Sequence, residues 1–331
     1  HPKAGFLLLS HRISLIFQYR RGIESTMSQS LEEIRREIDA LDHQVHDLLM
    51  KRAELIVKVT EAKRRNQMHT VQPEREAMMI RRLLARHTGV LPREAIARIW
   101  RELVGAVSLV QTGLKATVTV PPDSKGLLYW DMAKDYFSSV LPMQKSETAQ
   151  SALAAVREGE VTFAVVPWPE LEDDKPWWSL LMNETGDNPM RIMARLPFGD
   201  RTRTHITPDH QALVVAKIKF EPSGDDRSFL ALDLDHHISR TRIIDRCKDM
   251  GLPARTLYSM THKGSGNTLH LLEVDGYVAQ DDPNLSELLN KLEYPEGRCL
   301  CLGGYPTPPI YEDKVGKSAL EQASLTTKKT A

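Results

Sequence analysis

Two cations in one helical segment are spaced to hold a small dianion between them. Arg52 and Lys63 lie 11 residues apart in a stretch that contains neither Gly nor Pro. On an α-helix this separation returns to the same face over about 16 Å, so both side chains can reach opposite ends of one ligand. Arg35 lies about 25 Å before Arg52 and on another face of the helix. If Arg35 is functional, it must therefore serve the site of a second chain.

Further candidates follow on two shorter predicted helices. Arg75 and Glu76 stand at the start of the second helix, and Gln111 stands near the end of the third. Residues 28–113 hold no Cys–His, Ser–His or metal-ligand constellation, so covalent or metal catalysis has no residues to work with. Two interpretations stay open. The cations either bind and stabilise an anion, or they form solvated helix faces with i,i+4 ion pairs.

The register of these residues resembles that of the all-helical chorismate mutase family. The matching motifs are Ile34-Arg35, Arg52-Ala53-Glu54-Leu55, Ala62-Lys63, Pro73-Glu74-Arg75-Glu76 and Gln111. The resemblance covers residues 28–113 and implies rearrangement of chorismate to prephenate without a cofactor. It also implies three helices that intertwine with a second copy, with Arg35 crossing into the site of its partner.

The resemblance gives most candidates a role. The partner subunit's Arg35, together with Arg52 and Arg75, would hold carboxylates or charge through forked guanidinium donors. Lys63 and Gln111 would donate to the ether oxygen, where negative charge grows in the transition state. The rest of the rate enhancement would come from holding the flexible substrate in a compact shape.

One further role and two departures complete the predicted site. Glu76 would accept a hydrogen bond from the substrate hydroxyl. Gln72 stands where some relatives have a carboxylate that contacts the ligand, and Val107 stands where the family commonly has Ser. Ser108 is adjacent but turned by about 100° around the helix. The resemblance therefore implies a working enzyme with weaker substrate binding.

Three helices are expected to position these side chains. Ser30 and Glu33 form a capping-box signature, and apolar residues then recur every three or four positions as far as Val59. A helix over residues 30–66 would be roughly 54 Å long, more than one small domain can cover. Pro73 and Pro92 mark the starts of the second and third helices, which end near residues 88 and 111. The pattern favours an intertwined homodimer with composite sites.

Composition excludes several classes of function. The 331 residues include 44 Lys and Arg against 44 Asp and Glu, which gives no case for a nucleic-acid partner. No apolar stretch is long enough to cross a membrane. Cys247, Cys299 and Cys301 are too few for a disulfide framework, so we expect packing thiols and a cytoplasmic protein. We expect residues 1–26 to be an extension without a role in the fold and residues 311–331 to be a disordered tail.

The periodicity changes after residue 115. Strands at 116–120, 161–167, 191–196 and 212–218, with a helix at 151–157, predict an α/β domain over residues 114–222. A turn-rich linker then precedes strands and helices in the order βαββαβ, which predicts a ferredoxin-like domain over residues 223–310. The predicted fold class is thus multidomain, with an all-α segment at 27–113 followed by two domains that contain sheets.

Two resemblances lie in this second part. Glu158–Pro167 and Arg195-Leu196-Pro197 are similar to segments of prephenate dehydratases. Three further segments resemble the regulatory ACT domain that follows dehydratases. They are Val274–Val278, Asp282-Pro283-Asn284 and Leu302–Pro306. The order of mutase, dehydratase and ACT segments is that of the bifunctional mutase–dehydratase.

This sequence lacks the functional motifs of dehydratases and of ACT domains. Val120–Ser124 replaces the glycine turn of dehydratases, and Gln211-Ala212-Leu213 replaces their Thr-Arg-Phe. Thr202, Thr204 and His205 lie near the lost motif but are weak substitutes. His236 and His237 stand where an ACT domain would bind phenylalanine. Because adjacent residues in a strand or turn are expected to face opposite ways, we expect no metal there.

The sequence therefore predicts an isomerase, a chorismate mutase of phenylalanine and tyrosine biosynthesis in the shikimate pathway. No cofactor, metal, nucleic acid or membrane is expected as a partner. Two alternatives stay open, a bifunctional chorismate mutase–prephenate dehydratase and a non-catalytic regulatory or partner-binding protein of the same pathway. Gln72 and Val107 favour the non-catalytic alternative, whereas the intact set of cations, Glu76 and Gln111 argues against it.

Overall fold

The computed structural model describes residues 30–65, 71–88, 90–120, 125–170, 175–200, 211–261 and 266–311. Within the helices, the side chains of residues 60, 63–65, 108–112, 125 and 126 lie outside the described set. The predicted extension at 1–26 and all but the first residue of the predicted tail also lie outside it. The chain divides into two units, His1–Ala62 and Lys63–Ala331.

Helix α1 (Leu31–Arg65) makes up almost all of the described part of the first unit. Its capping box is confirmed, since the Ser30 N–H donates to Glu33 Oε2 at 2.8 Å and the Glu33 N–H donates to Ser30 Oγ at 3.2 Å. The 35 residues span about 52 Å. Its apolar side chains are more than half exposed at several positions, including Leu41 (58%), Leu48 (66%) and Leu55 (54%). The unit itself therefore buries little of the stripe that the sequence predicts.

Helices α2 (Pro73–Arg86) and α3 (Arg93–Thr112) open the second unit. Pro73 is the first residue of α2, as predicted, and its fixed φ suits that position. The two helices pack through a small apolar cluster around Ile80, Leu84 and Ala97.

Arg81 fixes α2 to the turn-rich linker predicted over residues 221–226 and to Thr307. Its guanidinium donates to the Ser223 hydroxyl at 3.0 Å and to the carbonyl oxygens of Ser223 at 3.2 Å, Asp225 at 2.6 Å and Thr307 at 3.0 Å. One helical side chain thus donates to three loop carbonyls and ties α2 to this loop.

The predicted α/β region is confirmed. Its elements are β1 (Ala116–Thr119), α4 (Lys125–Phe137), β2 (Met143–Ser146), α5 (Ala149–Glu158), β3 (Phe163–Pro167), a 3-10 helix (Trp177–Asn183), β4 (Arg191–Leu196) and β5 (Ala212–Ala216). Strand β1 pairs in parallel with β2 and β3, and β5 lies antiparallel between β3 and β4. The sequence analysis missed α4, β2 and the 3-10 helix.

The βαββαβ order is also confirmed. The elements are β6 (Asp226–Asp235), α6 (Arg240–Asp249), β7 (Ala254–Thr261), β8 (Asn267–Asp275), α7 (Pro283–Lys291) and β9 (Arg298–Pro306). The strands are antiparallel in the order β9-β6-β8-β7, the arrangement expected of a ferredoxin-like unit. Cys247, Cys299 and Cys301 are free, buried thiols in the core of this part, as the packing interpretation predicts.

Both sets of strands belong to one sheet, to which the described residues contribute nine strands, and the sequence did not indicate this. They join where β4 pairs in parallel with β9 at Ile192 and Gly303. Gly303 has a φ of +95°, and a Cβ there would lie 2.3 Å from the Ile192 carbonyl oxygen. Only glycine allows this approach. The predicted division at residues 222 and 223 stays a prediction.

A buried histidine lies in the ferredoxin-like part. His270 on β8 is 2% exposed, and its Nδ1 lies 2.8 Å from Ser259 Oγ on β7. Its Nε2 has no hydrogen-bond partner within the described ranges. Burial, and then the charge of Arg240, lower the pKa of His270 to about 4. Protonation of this ring therefore favours the unfolded chain.

We expect stability to fall as the pH is lowered from about 6.5 towards 4, because the folded-state pKa of His270 is below its unfolded value. The contribution of neutral His270 to the free energy of unfolding is fully present above pH 6.5. At the acid end of this range, about 3 kcal/mol of that free energy is lost. Urea unfolding of the full chain and of His270→Gln across this pH range measures the loss of stability. His46→Gln, which changes an exposed histidine, is the control. Parallel curves for the full chain and His270→Gln would contradict the prediction.

Candidate active site

The predicted cations of the first helix lie on one uninterrupted helix. Arg52 and Lys63 both fall within α1, so the helical spacing predicted for them holds. Arg52 is half-buried, and burial lowers the pKa of its guanidinium. Arg35 is exposed and its Nη1 lies 2.9 Å from Glu32 Oε1, one turn earlier. The side chain of Lys63 lies outside the described set, so its role stays a prediction.

The start of α2 presents two of the predicted residues. Gln72 is the N-cap residue, but its side chain makes no cap hydrogen bond. Its Oε1 is buried and has no hydrogen-bond partner among the residues that the structure describes. A buried acceptor without a donor is costly, so this amide is ready to accept from a ligand. Arg75 lies in the first turn of α2 and is exposed to solvent.

Glu76 is held by an arginine that the sequence analysis did not single out. Arg101 Nη1 on α3 donates to Glu76 Oε2 at 2.8 Å, and the two side chains are 5% and 21% exposed. The Arg101 guanidinium carbon lies 3.7 Å from the ring centre of Phe198 and 4.3 Å from that of Tyr136. Burial raises the pKa of Tyr136 to about 12, so this ring stays neutral beside the ion pair.

The space beside this ion pair is small. A cavity of about 30 Å³ is lined by Glu76 and Arg101 together with Leu114, Phe137 and Met193, among others. Ligand pockets usually enclose about 300–1,000 Å³, whereas this cavity holds about one water. A site for a dicarboxylate therefore needs further elements, and the predicted composite site would supply them from a second chain.

The end of α3 carries the last predicted residues. Val107 is partly exposed on this helix. Gln111 lies in the last turn of α3, as predicted, but its side chain and that of Ser108 lie outside the described set. Donation by Gln111 to an ether oxygen therefore stays a prediction.

Several candidate polar residues of the α/β region can be placed. Arg195 is buried on β4 and forms an ion pair with Asp200. Gln211 is buried at the start of β5, and its carbonyl accepts from the Trp168 N–H at 3.3 Å. Thr202, Thr204 and His205 lie outside the described residues.

One geometric expectation is wrong. His236 and His237 do not face opposite ways, since their ring centres lie 3.8 Å apart. The alternation of side chains applies to extended strands, whereas these residues form a turn directly after β6.

Comparison with known proteins identifies the helical segment. Residues 34–112 match the family described as chorismate mutase type II. This segment is therefore a chorismate mutase type II domain, and it contains every candidate from Arg35 to Gln111. The part of the chain that the structure describes contains no helix long and apolar enough to cross a membrane.

Curated relatives are bifunctional enzymes. The chain is 27% identical over 143 residues to the bifunctional chorismate mutase/prephenate dehydratase of Aquifex aeolicus. It is 25% identical over 142 residues to the same bifunctional protein of Pseudomonas aeruginosa. The alignments cover 42% and 41% of this chain and 39% and 38% of the relatives, so the chain spans less than half of the length of these relatives.

Solved structures give a distant likeness. The prephenate dehydratase from Streptococcus mutans is 16% identical, with a TM-score of 0.41, over 58% of this chain and 97% of that one. The prephenate dehydratase from Arthrobacter aurescens in complex with L-Phe is 14% identical, with a TM-score of 0.41. That match covers 66% of this chain and 99% of the other. Both scores are too low to carry a structural argument.

We expect Arg101→Met to lower the free energy of unfolding by about 3 kcal/mol, because it removes the buried cation of the Arg101–Glu76 ion pair. Replacing both members, as Arg101→Met with Glu76→Gln, should cost less than the sum of the two single changes. Urea unfolding of the four proteins gives this coupling energy. Additive losses would show that the two side chains do not stabilise each other.

Proposed function

We propose that the chain is a chorismate mutase that rearranges chorismate to prephenate. The observation that carries the proposal is the match of residues 34–112 to the chorismate mutase type II family. A set of cations, an acid and an amide stands at positions of that segment that resemble the family motif, namely Arg35, Arg52, Lys63, Arg75, Glu76 and Gln111. The reaction breaks and forms bonds within one molecule, so it needs no nucleophile and no proton donor.

Binding in this site rests on guanidinium groups. Arg52, Arg75 and the partner subunit's Arg35 would each offer forked N–H donors that match the two oxygens of a carboxylate. The three together would hold both carboxylates and draw the substrate into a compact shape, which removes orientational freedom before the reaction. The lowered pKa of Arg52 still leaves it charged at neutral pH, because free guanidinium groups titrate far above that range.

The rate acceleration would come from stabilising the negative charge that grows during the reaction. The ether oxygen gains negative charge as its bond to carbon breaks, and Lys63 and Gln111 would donate to it. Donors that are already in place interact more strongly with the transition state than with the neutral ether of the substrate. This difference lowers the barrier without any covalent step.

Glu76 and Arg101 would act as one unit. An ionised carboxylate has about four acceptor positions. The bond to Arg101 uses Oε2 and therefore does not exhaust the capacity of Glu76 to accept from the substrate hydroxyl. Arg101 is then a positioning residue, because it acts on the substrate only through Glu76.

The active form would be a homodimer. Helix α1 exposes an apolar stripe in its own unit, and a second copy of the same helix offers a complementary surface. The distance of about 25 Å between Arg35 and Arg52 fits the same arrangement, because Arg35 can reach only a site that a second chain completes. The buried Gln72 Oε1, for which the described residues offer no hydrogen-bond donor, also fits a site that is incomplete in one chain.

Residues 223–310 would be an ACT-like module without the motifs that bind phenylalanine. The bifunctional relatives favour dehydratase activity as a second function, but the replaced motifs near residues 120–124 and 211–213 argue against it. Release of phenylpyruvate from prephenate without acid would support the second function. The free, buried cysteines support a reducing compartment such as the cytoplasm.

Lys63→Ala should reduce the turnover number for chorismate by about 100–1,000-fold, because the ether oxygen loses one of its donors. Loss of chorismate absorbance measures the rate. Lys58→Ala is the matched control, since it removes an exposed lysine about 140° away around the same helix and should leave the rate unchanged. Equal activity of Lys63→Ala and the full chain would overturn the assignment of Lys63, and an inactive full chain would overturn the function.

A mixture of two inactive proteins tests the composite site. Arg35→Ala and Lys63→Ala should each be inactive alone, and after their subunits exchange roughly a quarter of all sites should carry neither change. Activity should rise towards that fraction of the unmodified value. A mixture as inactive as its components, with exchange of subunits shown by mass spectrometry, would place Arg35 outside the site of the partner.

A further inference from the structure

The turn between β6 and α6 brings three metal-ligating side chains together. Asp235, His236 and His237 each place one ligand atom within 4.8 Å of the others. The two imidazole rings lie side by side, with their centres 3.8 Å apart. The side chains of Asp235 and His236 are 36% and 53% exposed, so an ion from solvent can reach the group.

The hydrogen bond of His236 fixes which of its nitrogens can bind an ion. Its Nδ1 lies 2.8 Å from the carbonyl oxygen of Gly266. A carbonyl can only accept, so in the neutral ring the proton lies on Nδ1 and the lone pair lies on Nε2. Histidines that bind metals usually donate their other N–H to a carbonyl or carboxylate in this way, which orients the ring.

Asp235 is oriented by the same turn. Its Oδ1 accepts from the His237 N–H at 2.8 Å and lies 3.4 Å from His236 Nδ1. Both contacts use Oδ1, so Oδ2 is the oxygen placed to bind a cation. The Ile238 N–H closes the turn by donating to the Asp235 carbonyl at 3.0 Å, and Ser239 caps α6 immediately afterwards. Backbone hydrogen bonds on both sides thus fix the three residues.

We propose that Asp235, His236 and His237 form a surface site for a borderline divalent cation such as Zn²⁺. Two imidazoles and one carboxylate suit Zn²⁺, Ni²⁺ or Cu²⁺ better than Mg²⁺ or Ca²⁺, which prefer oxygen ligands. Tetrahedral zinc with bonds of about 2.1 Å brings its ligand atoms to about 3.4 Å from one another, so ligand atoms that now lie within 4.8 Å of one another would move closer together on binding. Three protein ligands leave the fourth position to water.

The bound ion would link two strands of the ferredoxin-like part. His236 follows β6 and is bonded to Gly266, which directly precedes β8. An ion that holds His236 to Asp235 and His237 therefore orders the end of β6 and, through the His236–Gly266 hydrogen bond, the start of β8. Binding should make the thermal midpoint depend on zinc concentration, since an ion that binds only the folded chain stabilises it.

Calorimetric titration of the full, chelator-treated chain with Zn²⁺ tests the proposal. We expect one equivalent to bind, with affinity lowered at least tenfold in His236→Ala, His237→Ala and the near-isosteric Asp235→Asn. The visible spectrum of bound Co²⁺ should show tetrahedral bands that these variants lose. The double variant His43→Ala with His46→Ala is the matched control, because it removes two exposed histidines one turn apart on α1 and should leave binding unchanged.

Two results would overturn the site. The first is that the full chain does not bind zinc at pH 7.5. The second is that zinc binds elsewhere on the chain, which would be seen as binding that survives in all three turn variants or disappears in the α1 control. Circular dichroism and the metal-free thermal midpoint establish that each variant is folded. Asp235→Asn keeps the shape of the turn, so at least one folded variant decides the question.

Discussion

The structure depends first on the apolar stripe of helix α1. Leu41, Leu48 and Leu55 are each more than half exposed in the chain alone, although apolar residues recur along the whole helix. Full burial of such a side chain contributes about 1.5–3 kcal/mol, so a helix with this many uncovered residues favours association strongly. The same helix carries the cations proposed to bind chorismate. Assembly and catalysis would thus rest on one surface, because in the proposed homodimer the partner that covers the stripe would also complete the site.

Charge pairing is the second constraint. A buried cation is costly without a partner, and Arg101 meets this requirement with Glu76 and two aromatic rings. The pair holds the acid in the position from which it would accept the substrate hydroxyl. The cavity beside it, about 30 Å³, is too small for substrate. A single chain therefore presents a prepared part of a site, consistent with the proposal that the site forms between two chains.

The sequence predicts much of the fold because its signals are local. A capping box and two prolines mark the three helices, and regular apolar spacing marks the βαββαβ order. Helix α4 was missed although Ser124, a residue type favoured at N-caps, precedes it and Tyr129, Met132, Ala133, Tyr136 and Phe137 follow helical spacing. Strand β2 was missed because it is a partly exposed, polar edge strand without an apolar alternation. These failures concern short elements whose neighbours decide their structure.

The site was predictable only as a set of candidates. Arg101 and Glu76 are 25 residues apart on different helices, and nothing in their local sequence pairs them. The packing of Arg101 on Phe198 depends on a residue almost a hundred positions later. The joining of β4 to β9 and the facing rings of His236 and His237 likewise arise from tertiary structure and turn geometry. Local patterns therefore give residue types and elements, whereas partners across the chain require coordinates.

Identification of the product at neutral pH tests the central claim most directly. Proton NMR can follow chorismate mixed with the full chain without any acid step. Prephenate should accumulate as chorismate disappears, while phenylpyruvate stays at the level of the protein-free control. Chorismate that decays no faster than in that control would show that the chain is not a chorismate mutase.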